Sequence, residues 1–97
     1  MALEFGTYLV LSTVHIHCAT AALLDRWALL LPIERPLALA PTGYGWFIGT
    51  GALDEITRAA LPAELVPLLA FARQQGCLHV LLDSDGPRVP ELPVFPW

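Results

Sequence analysis

One stretch constrains this chain more than any other: Leu78-His79-Val80-Leu81-Leu82-Asp83-Ser84-Asp85-Gly86. An apolar run of this length that stops at turn-forming residues predicts a strand buried inside a sheet. Asp-Ser-Asp-Gly predicts the turn that ends it, because aspartate bonds its own backbone two residues on and glycine adapts to tight geometry. It is also the place where two carboxylates sit close enough to suggest chemistry.

The other elements fall around that strand. Residues 5–14 are rich in β-branched and aromatic side chains, which predicts a strand from Tyr8 to Ser12, buried on both faces at its centre. His17 to Leu31 reads as a helix, with Leu23, Leu24, Trp27, Leu30 and Leu31 at helical spacing and Pro32 as its stop. His17 or Thr20 would have to serve as its cap. Leu37–Ala40 and Tyr44–Ile48 read as a hairpin, with Gly43 and Gly45 offering the positive φ of a tight turn. A short helical turn is expected over Leu53–Ala60. The second main helix spans Pro62–Gln75 and ends at Gly76, its start delayed to about Glu64 or its axis kinked by Pro67. The tail, Pro87–Trp97, holds four prolines and cannot be regular, yet its Leu92, Val94, Phe95 and Trp97 predict packing on the body. The order strand, helix, strand, strand, helix, strand predicts a single α+β domain over residues 1–97. The arrangement expected is the ferredoxin-like split βαβ, a mostly antiparallel four-stranded sheet with two helices on one face.

Composition narrows the function. The chain is 56% apolar and 14% charged, so either its core is unusually complete or an apolar face is left for a protein partner or a second copy. Net charge is −4, lysine is absent, and Arg26, Arg35, Arg58, Arg73 and Arg88 are evenly spread. Nucleic-acid binding needs clustered cations, so it is not expected. Gly6–Leu24 is interrupted by Ser12, Thr13, His15 and His17 and makes a poor membrane span. With no secretion signal visible, a cytoplasmic protein is expected, with Cys18 and Cys77 as reduced, buried thiols.

Three constellations could carry chemistry. Asp83 and Asp85 could share Mg²⁺, although Pro87 and the missing downstream lysine and acid pair break the dehalogenase-type phosphatase pattern. His15, His17 and Cys18 would meet Cys77 and His79 if the first and fourth strands ran antiparallel, and these are zinc-type ligands without zinc-site spacing. A disulfide between Cys18 and Cys77 would need the same geometry. Ser12, Thr13 or Cys18 with His15 lacks an elbow motif, and Asp83 is expected at the opposite end of the sheet, so no triad closes. Gly49-Thr50-Gly51 is too short for a phosphate loop. Trp27 and Trp46 suit a core. Tyr44, Trp46 and Trp97 suit interface anchors.

Leu-Ser-Thr-Val-His-Ile at 11–16, Tyr-Gly-Trp-Phe at 44–47, Asp-Ser-Asp-Gly at 83–86 and Glu-Leu-Pro-Val-Phe-Pro-Trp at 91–97 carry a resemblance over nearly the whole chain. It resembles an uncharacterised domain-of-unknown-function family of short bacterial proteins encoded largely on plasmids and integrative elements. The resemblance brings no catalytic residues. It implies the company of small accessory proteins, among them inhibitors of host defence such as anti-CRISPR proteins. The expected function is therefore a non-enzymatic protein-interaction module of a mobile element, without cofactor, acting as an anti-defence inhibitor. The alternatives are a small metal-binding protein or hydrolase using Asp83 and Asp85 or the His/Cys group, and a structural homodimer.

Overall fold

The computed structural model describes residues 2–97. Four strands form one sheet: β1 (Tyr8–Ser12), β2 (Leu39–Pro41), β3 (Gly45–Gly49) and β4 (His79–Asp83). Three helices accompany them: α1 (Cys18–Ala28), α2 (Glu55–Ala60) and α3 (Leu65–Gln74). The class is α+β.

The sheet order is β1-β4-β3-β2. β2 pairs antiparallel with β3 and β3 antiparallel with β4, but β1 pairs parallel with β4, Tyr8 opposite His79 and Ser12 opposite Asp83. The sheet is mixed, and the antiparallel β1–β4 pairing expected of a ferredoxin-like fold is not formed. The reason lies between β3 and β4. One crossover helix would return the chain parallel to β3; here the connection is two helical segments, and it delivers β4 antiparallel to β3, with Gly49 opposite His79. Leu61 and Pro62 make the break. The residue before a proline is pushed toward extended backbone, and Leu61 sits at φ −83°, ψ 150°.

Pro67 does not kink α3. The helix starts at Leu65 with Glu64 as its N-cap, so the proline falls in the first turn, where no backbone donor has an intrahelical acceptor. Gly76 ends α3 with φ +81°, the only positive φ among the described residues. Gly43 and Gly45 therefore do not use the left-handed region. Gly45 serves close approach instead: a Cβ there would lie 1.7 Å from the Leu82 carbonyl oxygen of β4.

α1 stops at Ala28, three residues before the expected end. Arg35 ties this end to β2: its guanidinium donates to Ala28 O at 2.9 Å and Leu39 O at 2.6 Å while its Nε donates to Leu30 O. Leu29, Leu31 and Ile33 are left exposed.

α1 and α3 bury Leu24, Leu65, Leu68 and Leu69 against Leu11, Ile48, Val80 and Leu82 of the sheet. Alternation sends Tyr8, Val10, Phe47, His79 and Leu81 to the other face, where none is fully buried. There Phe47 stacks on His79 at 4.8 Å and meets Tyr8 edge-on at 5.7 Å. β1 is thus buried on one side at its centre, not both. Among the described residues no helix is long and apolar enough to cross a membrane.

Candidate functional site

The parallel pairing of β1 and β4 brings their C-terminal ends together, and with them Ser12, His15 and Asp83. Ser12 lies opposite Asp83, so His15 and Asp83 share one end of the sheet, contrary to the expectation from antiparallel strands. No triad results, for a different reason than the predicted separation. Both nitrogens of the buried His15 ring are held by backbone: Val89 N–H donates to Nε2 at 3.1 Å, which puts the proton on Nδ1, 2.8 Å from Pro93 O. Ser12 Oγ accepts the Val14 amide. Hydroxyl and imidazole are both engaged in holding turns and tail.

The same topology separates the His/Cys group. His15, His17 and Cys18 follow the end of β1, whereas Cys77 and His79 open β4 at the other end of a parallel pair. Cys18 is exposed and Cys77 half-buried, both as free thiols, so neither is a buried core thiol. His17 packs against Phe95 with ring centroids 3.8 Å apart and ring planes tilted by 37°, and faces Glu64 at 3.4 Å, and Thr20 also donates to Glu64. His79 stacks on Phe47. Asp83 accepts the Asp85 amide at 2.8 Å, the aspartate turn expected after a strand. Among the described residues no three His, Cys, Asp or Glu side chains cluster as a metal site would require.

The tail is sewn onto this end. Ser12 N–H donates to Pro87 O, Phe95 N–H to Val14 O and the Trp97 indole to Ile16 O at 3.0 Å. The last bond fixes the Trp97 ring beside the β2–β3 hairpin, whose tip carries Tyr44. Between them opens a cleft of about 270 Å³, lined by Thr13, Asp25, Thr42, Tyr44, Trp46, Ser84 and Trp97 among others. The three aromatic residues singled out in the sequence as interface anchors therefore line one cleft. Their roles differ. Trp46 is 7% exposed and forms a wall, while Tyr44 at 70% and Trp97 at 61% are rims open to solvent. The Trp46 indole donates to Asp25 Oδ1 at 3.0 Å, holding one carboxylate in the lining. A second cleft, about 460 Å³, runs between α3 and the tail, and its polar rim of Gln74, Gln75 and Glu91 is exposed side chain.

A family model described as family of unknown function (DUF5983), C-terminal domain, matches residues 8–97. The chain belongs to this DUF5983 family. No curated protein and no solved structure matches it. The matched residues of this DUF5983 domain include every strand and helix and the whole tail, so the His15 clasp and the aromatic cleft both lie within the family's span.

Sequence reasoning did not single out Asp25. The helical spacing does put Asp25 off the core stripe. What it could not show is that the hairpin tip would fold over that side of the helix.

Proposed function

We propose that this DUF5983 domain is a small, non-enzymatic protein-interaction module of a mobile genetic element, acting in the cytoplasm to inhibit host defence by binding a defence protein. The observation that carries the binding reading is the convergence of Tyr44, Trp46 and Trp97 on one cleft, two of them more than half exposed. Aromatic side chains beside a pocket are the residue types that dominate interface energies. The apolar outer sheet face around Phe47 adds surface of the kind partners cover. A net charge of −4 without clustered cations favours a protein over a nucleic acid as the partner. The non-enzymatic reading is supported by Ser12 and His15, whose polar atoms serve the fold. The mobile-element setting and the anti-defence direction rest on the resemblance carried by residues 11–16, 44–47, 83–86 and 91–97.

The test is phage plating on a bacterium with active CRISPR interference, with and without the chain expressed. The wild-type chain is expected to raise plating efficiency and to co-elute with the interference complex. Tyr44→Ala, at an exposed rim, is expected to lose both while keeping the wild-type circular dichroism. No rescue and no co-elution by the wild type would end the inhibitor reading. Full rescue by Tyr44→Ala would end the role of the cleft.

A further inference from the structure

The cleft that Tyr44, Trp46 and Trp97 share is not a neutral apolar notch. Among the described residues Asp25 is the only charged side chain in its lining. Among the described residues no Arg or His forms an ion pair with it. Its position is set by the Trp46 indole, which donates to Oδ1 and leaves Oδ2 free for another donor. Trp46 is itself held in the core between strands, opposite Leu82 of β4 and Pro41 of β2. A carboxylate fixed by a buried donor, bordered by exposed aromatic rings, suits one class of guest.

We infer that the cleft takes an arginine side chain of the partner protein, its guanidinium paired with Asp25 and its planar face against the rings of Tyr44 and Trp97. Aromatic faces attract cations through their quadrupole, and guanidinium does so while also donating hydrogen bonds in its own plane. A neutral guest would cover the Asp25 charge without supplying an opposite one, which costs free energy. An ammonium group would satisfy the charge but could not stack. The size agrees: at about 270 Å³ the cleft is smaller than the ~300–1,000 Å³ sites that enclose whole small molecules, and it fits one side chain presented by a larger chain. The Thr13, Thr42 and Ser84 side chains in the lining offer hydroxyl acceptors for the remaining guanidinium donors.

This inference rests on the interaction reading above and names the chemistry of the contact. The experiment needs no partner. An acetylated Gly-Arg-Gly amide is titrated into the ¹⁵N-labelled chain to about 10 mM, a range suited to a single-side-chain contact, and the indole N–H signals of Trp46 and Trp97 are followed. Parallel titrations use peptides with lysine and with citrulline, the neutral isostere of arginine. The arginine peptide is expected to shift both indole signals. Citrulline is expected to bind at least about tenfold more weakly, and lysine more weakly than arginine. Asp25→Asn keeps an oxygen for the Trp46 indole and removes the charge, so it is expected to lose about tenfold with the fold intact. Tyr44→Ala is expected to weaken arginine binding while leaving the Asp25 contribution. Citrulline or lysine binding as tightly as arginine, an Asp25→Asn variant that binds like wild type, or no shift at all would overturn the inference. Should that happen while plating still depends on Tyr44, the arginine fails and the interaction module stands. Should plating be independent of the chain, the broader reading fails whatever the peptides do.

Discussion

His15 Nδ1 lies 2.8 Å from the carbonyl oxygen of Pro93, 78 residues further along the chain. On its other side the ring accepts the Val89 amide. One buried imidazole thus clasps the proline-rich tail at two points and joins it to the turn after β1. Prolines hold the tail in extended backbone but cannot donate, so a side chain able to both donate and accept does the tying.

Replacing that ring has a calculable effect. His15→Ala strands two backbone groups and leaves a cavity, for a loss of about 3 kcal/mol or more. Urea unfolding measures it, and limited proteolysis should find the tail cut first. A loss below about 1 kcal/mol, with the tail still protected, would show that the clasp contributes little.

Gly45→Ala should be among the most damaging single changes. The added Cβ would fall 1.7 Å from a carbonyl oxygen of β4, a backbone atom that cannot rotate away. The β3–β4 ladder must part or shift, and a loss of at least about 4 kcal/mol is expected in denaturant unfolding. Gly43→Ala, where a Cβ meets nothing within 4 Å, is the control and should stay within about 1 kcal/mol of wild type.

Arg35 links the end of α1 to β2 through three carbonyls. Arg35→Gln is expected to lower stability by about 1–2 kcal/mol, the upper part of the range for hydrogen bonds from a charged donor being discounted for partial exposure. Arg35→Lys should recover little, because a single ammonium cannot span Ala28, Leu30 and Leu39 as the fork does. Thermal melts of the three proteins decide it, and full recovery by lysine would contradict the geometry.

The parallel pairing makes a chemical prediction for Cys18 and Cys77. They flank opposite ends of strands five residues long, a span of about 17 Å, while a disulfide needs Cα atoms within ~7 Å. Mild oxidation of the folded chain should yield disulfide-linked dimers through the exposed Cys18 and no internal bridge, as read by mass spectrometry. Zn²⁺ should leave the melting temperature unchanged. An internal bridge formed without loss of native circular dichroism would refute the strand order.

Asp54 supplies the pH dependence of α2. Its carboxylate accepts the Thr57 amide at the helix start, and that hydrogen bond holds its pKa below the ordinary 3.8. A carboxyl whose pKa is depressed by folding adds stability above its unfolded pKa and loses it as pH falls through the folded one. The melting-temperature gap between wild type and Asp54→Ala should therefore be constant near neutrality and close below about pH 4. A gap that widens in acid would mean the cap works by something other than its charge.

Much of the architecture could be read from local patterns, since each strand and helix is written in spacing and in its proline and glycine stops. The β4 run, the tail's attachment and the late start of α3 followed from such signals. Strand order did not: the two helical segments either side of Leu61-Pro62 were legible, but the direction in which they return the chain to the sheet is not written in local spacing, and the pattern of Leu65, Leu68 and Leu69 is the same either way. The His/Cys neighbourhood failed with it, being derived from the assumed pairing. Tyr44, Trp46 and Trp97 were legible as anchors by residue type. Asp25 was not, since its meaning comes from a hairpin tip that reaches it only in three dimensions.

The neighbour that β1 takes in the sheet has a consequence in time. Synthesis makes Tyr8-Leu9-Val10-Leu11 before β4, so β1 lacks its strand partner while α1, the hairpin and α3 emerge. Contacts so distant along the chain close slowly. An uncharged apolar strand left waiting is the kind of segment that aggregates. The closure in which β4 docks and the tail locks over the turn is thus also the step that takes β1 out of reach of self-association.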